Sequence, residues 1–120
     1  PFFSDLPAKI AASHLVIGRS GASTVSELAA IGRPSILVPL PHAIDNDQLA
    51  NASSLAAAGG ALVIRQAEFT SARLASELTT LFNDALRLPA MARAAKAEGR
   101  IDAAKRLADL VVKVAGVAPE

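Results

Sequence analysis

The chain has 120 residues, a formal net charge of +1 and an apolar share of 52%, enough for one compact core and ordinarily read as one domain. With charge so nearly balanced and aromatics at 3%, it has neither the electrostatic footprint of a nucleic-acid binder nor stacking platforms for single strands. The lack of cysteine excludes disulfides and thiolate metal sites and permits a reducing compartment, while no apolar run approaches the ~20 residues that cross a bilayer and no basic segment leads into a signal-type core.

The chain reads as soluble, and its start at Pro1 suits a processed or excised piece of something longer. In chain order, Asp5 and Pro7 open a first helix, and Leu15 to Gly18 form a first strand. A second helix closes at Gly32 and Pro34, a second strand runs from Ser35 to Leu40, and a third helix ends at Gly59-Gly60. The third strand is Ala61 to Ile64. All three strands are apolar throughout, as strands buried on both faces are. Thr70 or Ser71 caps a helix reaching about Asp84, and Pro89 starts another that pauses near Gly99 before a last helix from Ile101 towards Val114. This alternation predicts a parallel sheet covered by helices. Three such strands are half of a doubly wound sheet, which leaves the edge of the first strand without a neighbour.

Residues 19–27, RSGASTVSE, occupy the first strand-to-helix junction, where α/β sheets bind ligands at unpaired helix N–H groups. Gly21 lets the backbone approach a ligand, Ala22 and Ser23 add little bulk, and the N–H groups of residues 22–24 are placed to cradle a diphosphate. Thr24 adds a hydroxyl. Glu27, in the first helical turns and facing the same crevice, suits a ribose diol. Thr24-x-x-Glu27 equally fits a capping box, which accounts for the acid with no ligand at all, and sequence physics leaves both readings standing. Gly18 and Gly21 do not complete G-x-G-x-x-G, so an NAD site is the weaker version of the functional idea.

Residues 39–52, PLPHAIDNDQLANA, gather His42, Asp45, Asn46, Asp47, Gln48 and Asn51 on the same side of the sheet, a donor and acceptor set suited to sugar hydroxyls. The plainer account makes Asn46 or Asp47 a helix cap, Asn51 a solvated side chain and His42 an ordinary surface histidine. Asp45 and Asp47 alone do not make a metal site, and none is expected. Arg87, Arg93, Lys96, Arg100, Lys105 and Arg106 alternate with acids on the terminal helices, the pattern of a solvated face.

The strings R-S-G-A-x-T-V-S-E-L and V-P-x-P-x(6)-Q-x-x-N-A, with Phe2-Phe3-Ser4-Asp5-Leu6 before them, resemble the donor-binding region of the MurG family of bacterial N-acetylglucosaminyltransferases. The resemblance runs through Gly59 and is least diagnostic beyond Thr70. It implies an α/β, Rossmann-like parallel sheet with flanking helices, the latter half of a GT-B carboxyl-terminal domain, with residues 1–120 as part of a UDP-sugar-binding domain. Carried over by position, Phe3 offers backbone groups to uracil, and Ala22, Ser23, Thr24, Val25, Ser26 and Glu27 wrap diphosphate and sugar. Glu27 holds the ribose hydroxyls, and Gln48 reads N-acetylglucosamine. Asn51 and His42 match positions near the sugar, Asp47 departs from the second glutamine that some members carry there, and Gly21 is a further substrate-binding candidate.

The implied function is that of the UDP-N-acetylglucosamine donor portion of the inverting enzyme that converts lipid I to lipid II in peptidoglycan synthesis, with no cofactor and no metal. Acceptor contacts and the catalytic base belong to an amino-terminal domain outside this stretch, so it holds no catalytic residue and is inactive alone. The full-length enzyme is expected to be cytoplasmic and peripheral on the inner membrane. The open strand edge and Leu107 to Val117 favour self-association of the isolated chain. Two other readings are a donor-binding subunit of a two-chain glycosyltransferase and a nucleotide-binding half of an unrelated Rossmann enzyme.

Overall fold

The computed structural model describes residue 10, residues 14–41 and residues 47–115, without the side chains of 112–115. Three parallel strands, β1 (Val16–Gly18), β2 (Ser35–Leu37) and β3 (Ala61–Val63), form a sheet in the order β1-β2-β3. Val16 lies opposite Ser35, and Ile36 opposite Leu62. Helix α1 (Ala22–Ile31) follows β1 and α2 (Asp47–Ala57) follows β2, while β3 leads through a short 3-10 turn, Gln66–Glu68, to α3 (Ser71–Asn83) and α4 (Arg87–Ala115). The parallel α/β architecture is therefore as the apolar runs imply. The helix expected to open at Asp5 and Pro7 lies outside the described residues.

The strands are shorter than the apolar runs. Val38 N–H still donates to Gly18 O at 2.8 Å and Ile64 N–H to Leu37 O at 3.0 Å, but Pro39 has no N–H with which to continue the ladder. Because side chains alternate across a sheet, Leu37 and Ile36 serve different cores. Leu37 packs with Leu28, Ala29, Ala52, Leu55 and Ala95 under α1 and α2. Ile36 packs with Ile64, Leu81 and Met91 under α3 and α4. Leu28, Leu37 and Leu55 are buried almost completely, each contributing about 1.5–3 kcal/mol by leaving water.

α1 stops where Gly32 takes φ 81°, a left-handed value, and both Gly32 and Arg33 donate N–H bonds back to Leu28 O, a turn that glycine makes without steric cost. The expected pause at Gly99 is not there. α4 runs unbroken for 29 residues, with Pro89 in its first turn, where a missing N–H is tolerated. Gly99 serves packing: a Cβ on it would stand 2.5 Å from Ala29 O, so the absence of a side chain lets α4 lie against the backbone of α1. The long, mixed-charge helix is thus anchored through its middle. Beyond Gly99 it presents Ile101, Leu107, Leu110 and Val111 to solvent.

Candidate functional site

Both candidate loops leave the carboxyl ends of adjacent parallel strands and so lie at one end of the sheet. Gly21 is the N-cap of α1, at φ −60° and ψ 153°, with no side chain capping it. The first intrahelical bond runs from Val25 N–H to Gly21 O at 3.0 Å. The N–H groups of Ala22, Ser23 and Thr24 therefore have no partner within the helix, the condition that makes a helix start receptive to anions. This placement removes the capping-box alternative: Thr24 is the third helical residue and Glu27 the sixth, too far along to cap and to reach back.

Gly21 has an unusual freedom for its position. Its backbone angles suit any residue, and a Cβ built on it meets no atom within 4 Å. Neither conformation nor internal packing calls for glycine there, in contrast to Gly32 and Gly99. Ala22 and Ser23 are exposed, Thr24, Ser26 and Glu27 half-buried, and Val25 packs against the core beneath α1.

The second loop is bound to the first by side-chain hydrogen bonds. Ser20, fully buried, donates its Oγ hydrogen to Gln48 O at 2.6 Å, and Asn51 Nδ2 donates to Ser20 O at 3.1 Å. Gln48 Oε1 accepts the Leu40 N–H at 2.8 Å. A backbone N–H only donates, so the amide orientation of Gln48 follows from chemistry: its oxygen is engaged, and its NH2 has no partner among the described residues. Asp47 opens α2 as an exposed first-turn carboxylate, where the helix dipole favours it.

Ala22, Val25, Ser26 and Asn51 line a groove of about 210 Å3 closed on its far side by Glu98, Asp102 and Arg106 of α4. Ser26 and Glu27 line its neighbour of about 450 Å3, against Gly99, Asp102, Ala103 and Arg106. Arg106 pairs with Asp102 at 3.0 Å and reaches Ser26 Oγ at 3.5 Å, so one residue of the expected solvated face meets the α1 segment. The structure thus joins Gly21, Asn51 and Gln48 through Ser20 and places Glu27 further along, beside α4. Phe3 and His42 lie outside the described residues. Sequence reasoning missed Ser20 and Arg106, whose partners are 28 and 80 residues away and leave no local pattern.

A parallel sheet whose first helix opens uncapped at the strand ends, with a second loop tied to it, defines a Rossmann-like half-domain. Its relatives are more specific. The chain belongs to the glycosyltransferase family 28 C-terminal domain, whose family model matches residues 1–107. It is 68% identical over 117 residues to the UDP-N-acetylglucosamine–N-acetylmuramyl-(pentapeptide) pyrophosphoryl-undecaprenol N-acetylglucosamine transferase of Rhodopseudomonas palustris strain BisB18, covering 98% of this chain and 31% of that protein. The like-named transferase of Bradyrhizobium diazoefficiens is also 68% identical, with 98% of this chain and 32% of the relative covered. The crystal structure of Acinetobacter baumannii MurG is similar at a TM-score of 0.73 and 38% identity, over 80% of this chain and 27% of that one. The chain spans about a third of the length of these curated relatives.

Proposed function

We propose that residues 1–120 are the latter part of the carboxyl-terminal, UDP-N-acetylglucosamine-binding domain of a glycosyltransferase that delivers N-acetylglucosamine to a lipid-linked muramyl-pentapeptide. The observation that carries this reading is the uncapped start of α1 at Gly21, within the segment that the family model covers. The N–H groups of Ala22, Ser23 and Thr24 receive the diphosphate. Their value is greatest as the glycosidic bond breaks, because charge then accumulates on the departing UDP and fixed dipoles stabilise it without reorganising. Glu27 accepts hydrogen bonds from the ribose diol, and the free Gln48 NH2 donates to hydroxyl oxygens of the sugar. The acceptor hydroxyl is deprotonated by a base elsewhere in the longer protein, which meets its lipid-linked substrate from the cytoplasmic face of the membrane.

The relatives' names supply the donor and acceptor classes, and the half-sheet supports a share of the work limited to the donor. Calorimetric titration of the full-length protein with UDP-N-acetylglucosamine tests this. Glu27→Ala is expected to weaken binding by about 1.5–3 kcal/mol, the range for a hydrogen bond to a charged group, with little change in unfolding midpoint. Unchanged donor affinity in a folded variant would remove Glu27 from the site, and a wild-type protein that binds no UDP-sugar would overturn the donor reading itself.

A further inference from the structure

We propose that Ser20 and Asn51 are positioning residues for the nucleotide: together they lock the uncapped start of α1 against the first turns of α2, and Asn51 acts through Ser20 without touching the sugar. This rests on the donor reading above and extends it to residues that bind no ligand themselves. Ser20 is completely buried and is used at both ends. Its hydroxyl donates to Gln48 O at 2.6 Å, and its carbonyl accepts from Asn51 Nδ2 at 3.1 Å.

The direction of these bonds matters. The peptide joining Ser20 to Gly21 is planar and trans, so its C=O and N–H point opposite ways. By drawing the Ser20 carbonyl towards α2, Asn51 aims the Gly21 N–H away from α2. The Ser20 hydroxyl meanwhile holds the loop at the level of Gln48, so the α1 start and the Gln48 amide keep a fixed separation. A nucleotide-sugar must meet both at once, and a pre-set spacing spares the ordering that binding would otherwise require. Asn51 has spent one donor on Ser20 and is half-buried. It lies in the groove with Ala22, Val25 and Ser26 at the start of α1.

The test compares UDP with UDP-N-acetylglucosamine, by calorimetry on the full-length protein, for Asn51→Ala, Ser20→Ala and the double variant. Each single change is expected to lower affinity for both ligands alike, about threefold to tenfold, as the loss of one buried hydrogen bond implies. The double variant should lose little more than either single, because both act on one loop. Asn51→Asp, which keeps the size but cannot donate as a carboxylate, is expected to match Asn51→Ala and serves if the alanine variant folds poorly. A loss confined to UDP-N-acetylglucosamine, with UDP binding intact, overturns the proposal in favour of direct sugar contact. A lowered unfolding midpoint with both affinities at wild-type values overturns it in favour of a merely structural role. If the wild-type protein binds neither ligand, the donor reading fails first and this proposal with it.

Discussion

Gly21→Ala separates a ligand-driven glycine from a fold-driven one. At φ −60° and ψ 153°, alanine adopts the native backbone without strain, and its methyl would meet no protein atom within 4 Å. Alanine is a poorer N-cap than glycine, at a cost of roughly 0.5–1 kcal/mol. Stiffening the unfolded chain returns about 0.4–1 kcal/mol. The two nearly cancel, so unfolding free energy should shift by no more than about 0.5 kcal/mol. Binding should respond quite differently if the donor reading holds, because the methyl would occupy the open space at Gly21 beside the N–H groups of residues 22–24 proposed to receive the diphosphate. Losing or lengthening one charge-assisted hydrogen bond costs about 1.5–3 kcal/mol, roughly a tenfold to hundredfold weaker Kd for UDP. Urea unfolding and calorimetric titration of the same full-length variant give both numbers. A stability loss above about 1 kcal/mol with UDP affinity unchanged would refute the reasoning and make Gly21 a structural glycine.

Gly99→Ala should destabilise by about 1–3 kcal/mol in urea unfolding, the range for overpacking, although alanine in a helix interior ordinarily gains about 1 kcal/mol over glycine. The sign is reversed because the new Cβ would fall 2.5 Å from Ala29 O, a backbone atom that cannot move alone; a stabilised variant would mean that α4 does not lie against α1 in this way. Gln48→Glu keeps an acceptor for the Leu40 N–H and removes the NH2 donor, so UDP should bind as before while preference for UDP-N-acetylglucosamine over its C4 epimer falls. Equal losses for UDP and both sugars, measured by competition, would show that Gln48 does not read the sugar.

Legibility in the sequence followed the range of the interaction. The strands at Val16–Gly18, Ser35–Leu37 and Ala61–Val63 were marked by short apolar runs between turn residues, a local signal. The αL stop at Gly32 was equally local, as was the Thr70 cap, whose Oγ1 accepts the Arg73 N–H at 3.1 Å. Gly99 misled because a helical glycine reads as a weak point from propensity alone, whereas its reason is the backbone of a helix some seventy residues earlier. Ser20 was invisible for the same cause. A serine between Arg19 and Gly21 looks like loop filler until the fold brings Gln48 and Asn51 of α2 against it.

The stretch from Arg19 to Glu27 can now be divided by what each residue is held to. Arg19 reaches Val38 O at 3.4 Å, Ser20 is buried and bonded to α2, and Val25 packs against the core. These three tie the segment down. Gly21, Ala22 and Ser23 are held by nothing comparable, for they are small, Gly21 has no side-chain cap, and Ala22 and Ser23 are exposed. A helix start that served the fold alone would gain stability from Ser, Thr, Asp or Asn at the N-cap, worth about 1 kcal/mol over alanine. Placing glycine at that position, one residue after a serine committed elsewhere, leaves backbone N–H groups uncovered at the end of the sheet where a nucleotide diphosphate would arrive. On the donor reading, the residues that fold the loop and those proposed to meet the ligand therefore alternate along the chain, which is why a change at the buried Ser20 should reach the nucleotide.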